Sequence, residues 1–120
     1  MGYEVKLFAV ESVNEESDGY SSVVAEIDLC KIGDGHLYAL MLANTPKKPR
    51  AYVYGLDGNR RFKKDRYGAA MPIMKVADVI KAIEQDNKKE PYRRFEMALA
   101  MLKVFKDSFG DRARVLAFGH

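Results

Sequence analysis

The spacing of apolar residues changes once along the chain, near Gly68, from a period of about two to a period of about 3.6. A chain that spends its first part on alternating segments and its last part on helical ones satisfies both patterns by laying helices on one face of an antiparallel sheet. The regular strand–helix alternation of a parallel sheet is not seen. The expectation is therefore one α+β domain over residues 1–120, with a four- to five-stranded antiparallel sheet, two later helices packed on one face, and a candidate C-terminal strand.

The segments follow from turn chemistry. Tyr3 to Val13 alternates as a strand and ends in the polar run Asn14 to Gly19. Tyr20 to Ile32 is a second strand, with Val23, Ala25, Ile27 and Leu29 on one face and Val24, Glu26, Asp28 and Cys30 on the other, closed by Gly33-Asp34-Gly35. Leu37 to Ala43 is almost wholly apolar and short, which reads as a central strand covered on both faces. Asp57-Gly58 suits a tight type I′ turn between Ala51–Leu56 and Arg60–Lys64. Helices are expected from about Met74 to Gln85 and from Pro91 to Phe109, the second stopped by Gly110, with Arg112 to Phe118 as the last strand.

Composition removes several classes of protein. Hydrophobic residues at 48% and charged residues at 31% exclude global disorder. A single cysteine, Cys30, excludes an internal disulfide and a cysteine-based metal cage within one chain. No stretch reaches the length of a membrane span, the first residues lack a signal-peptide pattern, and Lys6 stands where a myristoylation signal wants Ser or Thr. The expectation is a soluble, cytoplasmic protein without a membrane partner.

Catalytic signatures are missing too. The chain has no Walker, dinucleotide-binding, nucleophile-elbow or zinc-protease motif, and its two histidines, His36 and His120, make a poor metal set. No cofactor and no metal are expected. Cys30 reads as a small apolar core residue and Glu26 with Asp28 as a solvated strand face. An enzyme would need an unfamiliar set such as Asp28, Asp34 and His36, so a binding role is preferred.

Charge is unevenly divided. Up to Pro46 there are two basic and eight acidic residues, and from Lys47 onward eighteen basic and nine acidic. Such asymmetry points to an anionic partner or to neutralisation within the fold. Eight of the basic residues fall between Lys47 and Tyr67. With a two-residue turn at Asp57-Gly58, Tyr54 faces Arg61, Val53 faces Phe62 and Tyr52 faces Lys63. One hairpin face then carries Tyr52, Tyr54, Arg61 and Lys63, flanked by Arg50, Arg60, Lys64 and Arg66. Rings that stack on bases beside cations that meet phosphates make a platform for a nucleotide or nucleic acid. Arg112 and Arg114 extend it if the C-terminal strand lies alongside.

The second helix is apolar over roughly 220° of its circumference. Phe95, Ala98, Leu99, Leu102, Phe105 and Phe109 share one side, Met97, Met101 and Val104 a neighbouring one, and Lys106 sits inside the apolar arc. Met97, Met101 and Val104 are candidate interface residues of a homo-oligomer, most simply a twofold dimer. The reading is thus a non-enzymatic binder of a phosphate-bearing ligand through a basic aromatic hairpin. The alternative is a small protein-binding inhibitor or adaptor, of the kind mobile elements encode, acting through its acidic strands or its methionine-bearing helix face.

Overall fold

The computed structural model describes residues 4–11, 20–49, 52–54, 61–62 and 64–120. In chain order these form β1 (Glu4–Val10), β2 (Tyr20–Lys31), α1 (His36–Ala43), β3 (Tyr52–Tyr54), β4 (Arg61–Phe62), β5 (Ile73–Lys75), α2 (Val76–Lys89), α3 (Arg93–Phe109), a 3₁₀ turn (Gly110–Arg112) and β6 (Arg114–Gly119). The sheet order is β4-β3-β2-β1-β6-β5. The run β2-β1-β6-β5 is a four-stranded antiparallel sheet, so the α+β expectation holds and the C-terminal strand is one of its central members. The β3–β4 hairpin extends it through a parallel pairing of Tyr52–Tyr54 with Tyr20–Ser22.

The three α-helices among the described residues all pack on one face. Val5, Leu7 and Ala9 of β1, Leu29 of β2 and Val115 and Ala117 of β6 meet Leu37 and Met41 of α1, Val79 and Ile83 of α2, and Phe95, Ala98, Leu102 and Phe105 of α3. A smaller cluster of Phe8, Val10, Val23, Met71 and Leu116 lies on the opposite face. α2 has the narrow buried arc its sequence promised, and α3 ends at Gly110, whose φ of 71° is a conformation a glycine adopts without a Cβ clash.

Three local expectations are corrected. Leu37 to Ala43 is a helix, not a central strand. Its Leu, Ala and Met residues are strong helix formers, and its first amides find a carboxylate from far along the chain: Asp86 accepts from the N–H of His36 at 2.6 Å and of Leu37 at 2.9 Å. Gly35 is required there, because a Cβ would collide with that carboxylate. Second, the alternation of β2 is broken by two register shifts against β1, which leave Val24 and Leu29 as the extra residues. Val23 consequently joins the cluster on the face opposite the helices, whereas Ala25, Ile27 and Leu29 pack on the helix side.

Third, Cys30 is not a core residue. It is half-buried at the second bulge with φ of 61°, its N–H donates to Asp28 Oδ1 at 2.8 Å, and its Sγ lies 3.8 Å from Glu4 Oε1. The fully buried Leu29 takes the core position instead. The start of α3 holds the bulge from the helix side, through Tyr92 Oη to the Leu29 carbonyl at 2.9 Å and Arg94 Nη1 to the Asp28 carbonyl at 2.7 Å.

Candidate anion-binding surface

The hairpin has the register its turn chemistry implied. Val53 pairs with Phe62 and Tyr54 with Arg61. Tyr52 pairs with Tyr20 on the other side of β3. Arg50, Arg60, Lys63 and the Asp57-Gly58 turn lie outside the described residues. Lys64 is exposed and bridges to Ala70, and Arg66 is exposed with its N–H bonded to the Gly119 carbonyl at 3.1 Å.

Arg112 and Arg114 do not lie beside the hairpin, because β6 sits between β1 and β5. The register nevertheless brings them to the same end of the sheet. Arg114 is level with Val10 and Lys75, Val10 with Val23, and β3 continues from there along Tyr20–Ser22. Three strand steps separate β3 from β6, roughly 14 Å.

At that end a cleft of about 340 Å³ is lined by Lys75, Val76 and Ala77 at the start of α2, Lys106 and Gly110 at the end of α3, and Asp111, Ala113 and Arg114. Three cations from three elements face one carboxylate. The N-cap residue Lys75 supplies no side-chain hydrogen bond to the first amides of α2, so the positive end of a 14-residue helix opens on the same space. The Arg114 guanidinium is held in place by its Nη1 donating to the carbonyls of Asp111 at 2.6 Å and Ala113 at 3.0 Å. Lys75 and Lys106 are not among the residues that the sequence pattern alone singles out for this surface. The available signal was the misfit of Lys106 within the apolar arc of α3: it is exposed near the end of that helix and lines the cleft.

A second cleft, of about 480 Å³, lies at the other end between the Gly33–Gly35 turn and the α2–α3 junction, lined among others by Lys31, Asp34, Asp86, Lys89, Glu90 and Tyr92. Its buried carboxylate is already engaged: Asp86 receives two amides of α1 and lies 3.0 Å from His36 Nδ1. The set Asp28, Asp34 and His36 is not assembled, since His36 pairs with Asp86, and Asp28 is directed to His120, whose Nε2 is 3.7 Å from its Oδ1. His120 Nδ1 is also 3.8 Å from Glu4 Oε2, and Lys6 pairs with Glu26 at 3.4 Å. Among the described residues no group of three or more His, Cys, Asp or Glu side chains is arranged to hold a metal ion, and no helix is long and apolar enough to cross a membrane.

The three candidate interface residues separate. Met97 and Val104 are 65% and 66% exposed, whereas Met101 is half-buried against the core. Compared with protein-family models, with curated proteins and with solved structures, the chain matches none.

Proposed function

We propose that the protein is a non-enzymatic binder of a phosphate-bearing ligand, which it meets at the end of the sheet where the β3–β4 hairpin and the start of α2 lie. The observation that most supports this reading is the convergence of Lys75, Lys106 and Arg114 on one cleft at the open start of α2. Cations and uncapped helix amides together favour an anion more than either does alone. The hairpin adds Tyr54 and Arg61, paired in register, as the aromatic and guanidinium partners that stacking on a base and meeting a phosphate require. A separation of roughly 14 Å between the two suits a nucleic-acid strand bridging both better than a mononucleotide, which satisfies one.

The test is fluorescence anisotropy with a labelled single-stranded oligonucleotide and a labelled nucleotide at several salt concentrations. Arg61→Glu with Lys63→Glu addresses the hairpin, and Lys75→Glu with Lys106→Glu the cleft. Both pairs weaken a strand that spans the surface, while only one weakens a nucleotide. Absence of saturable, salt-sensitive binding of either probe to the wild-type protein refutes the proposal.

A further inference from the structure

Helix α3 buries Phe95, Ala98, Leu102 and Phe105 against the sheet, and this fixes which side it turns outward. That outer side carries a strip at spacings of three and four: Arg93, Met97, Ala100, Val104 and Asp107, every one exposed. Met97 and Val104 are the two most exposed large hydrophobic residues among those described, and a single small residue stands between them. On one flank of the strip lie Glu96 and Lys103, both exposed.

The order of charges along this strip is complementary to a second, antiparallel copy of itself. Two copies of α3 laid antiparallel, with a twofold axis at Ala100, bring Arg93 of one copy to Asp107 of the other, and the same pairing recurs at the far end by symmetry. Met97 meets Val104, and Glu96 meets Lys103, so the whole face is complementary to itself. Laid parallel, the same helices oppose Arg93 to Arg93 and Asp107 to Asp107, which is repulsive. Ala100 at the axis lets the backbones approach closely. Lys103 Nζ lies 3.8 Å from Glu84 Oε2 in its own chain, and its side chain is 57% exposed, leaving it within reach of a second carboxylate.

We propose that the outer face of α3 is a dimer surface, pairing antiparallel with α3 of a second copy of this chain about an axis at Ala100. The surface is independent of the cleft at the start of α2, and its fate does not depend on the ligand reading. A single helix pair buries less than the usual interface of about 1,600 Å², so the dimer dissociates in the micromolar range or above.

Sedimentation equilibrium at protein concentrations from about ten to several hundred micromolar should show the mass rising from monomer to dimer. Arg93→Asp and Asp107→Arg each place like charges at both ends and should leave the protein monomeric. Mixing these two variants should restore a dimer, because each supplies the charge the other lacks; that recovery also shows that both are folded. In a Cys30→Ser background, Ala100→Cys should form an intermolecular disulfide on mild oxidation. A wild-type protein that stays monomeric at several hundred micromolar overturns the proposal. So does a dimer that survives both charge reversals and yields no disulfide through position 100.

Discussion

Asp86, buried one turn before the end of α2, accepts the backbone N–H of Leu37 at 2.9 Å across 49 residues of chain. This hydrogen bond makes a helix of a short apolar segment and ties α1 to α2. Replacing Asp86 with alanine leaves the amides of both His36 and Leu37 without their acceptor, and the expected loss is about 2 to 3 kcal/mol in urea unfolding. Gly35→Ala should destabilise through the same carboxylate, which its Cβ overlaps. His36→Ala should cost about 0.5 kcal/mol or less, since its imidazole is 55% exposed and its backbone N–H is kept. A large loss for His36→Ala with none for Asp86→Ala would show that the imidazole, not the cap, holds the segment.

Cys30 occupies a left-handed conformation at φ of 61°. A side chain there costs about 1 kcal/mol relative to glycine, and a β-branched one costs more. Cys30→Gly should therefore keep or raise stability, by up to about 1 kcal/mol, while Cys30→Val lowers it. Because the thiol is only half-buried and its Sγ lies beside the Glu4 carboxylate, a small thiol reagent should modify it without prior unfolding. Modification that proceeds only at the rate of global unfolding would contradict this placement.

The sequence revealed what local rules control. The change of period separated sheet from helices, Pro91 and Gly110 bracketed α3, and Asp57-Gly58 implied the Val53–Phe62 and Tyr54–Arg61 register. What it concealed was non-local. Leu37 to Ala43 has the length and composition of either a strand or a helix, and the deciding group, Asp86, is some fifty residues away. Strict alternation in β2 hid two bulges, because each moves the residues beyond it to the other face without any glycine to mark the place. For the same reason the cleft was only half legible. Arg114 stands out in the sequence by its charge, but its neighbours Lys75 and Lys106 come from elements whose adjacency only the fold supplies.

Helix α3 offers a direct contrast between its two sides. Leu102 is completely buried among the sheet and the other helices, so Leu102→Ala should cost about 2 to 5 kcal/mol, the transfer term plus the cavity it leaves. Met97→Ala, on the outer side, should change monomer stability by about 0.5 kcal/mol or less in dilute solution. Measured by denaturant unfolding at low micromolar concentration, equal losses at the two positions would mean that the outer side is not free in the monomer.

Ligand binding should separate the two parts of the basic surface by their chemistry. On the proposed reading the cleft at the start of α2 binds through charge and helix amides, so Lys75→Glu with Lys106→Glu should reduce affinity for any strand sequence alike. The same exchange should flatten the dependence of log K on log salt by about 0.7 for each phosphate that the variant no longer neutralises. The proposed role of the hairpin adds stacking to charge. If a base stacks on Tyr54, Tyr54→Ala should cost about 1 to 3 kcal/mol of binding while leaving the salt slope unchanged, because stacking releases no counterions. Arg61→Glu, one register partner away, should alter both affinity and slope. Neither cleft lysine is buried, so their exchange should move stability by about 0.5 kcal/mol or less, and a variant that fails to bind because it unfolds is recognised by its lowered denaturant midpoint. A Tyr54→Ala variant that binds as wild type, together with a cleft variant that does not bind, would confine the ligand to the start of α2 and leave the tyrosine as a spacer in the sheet.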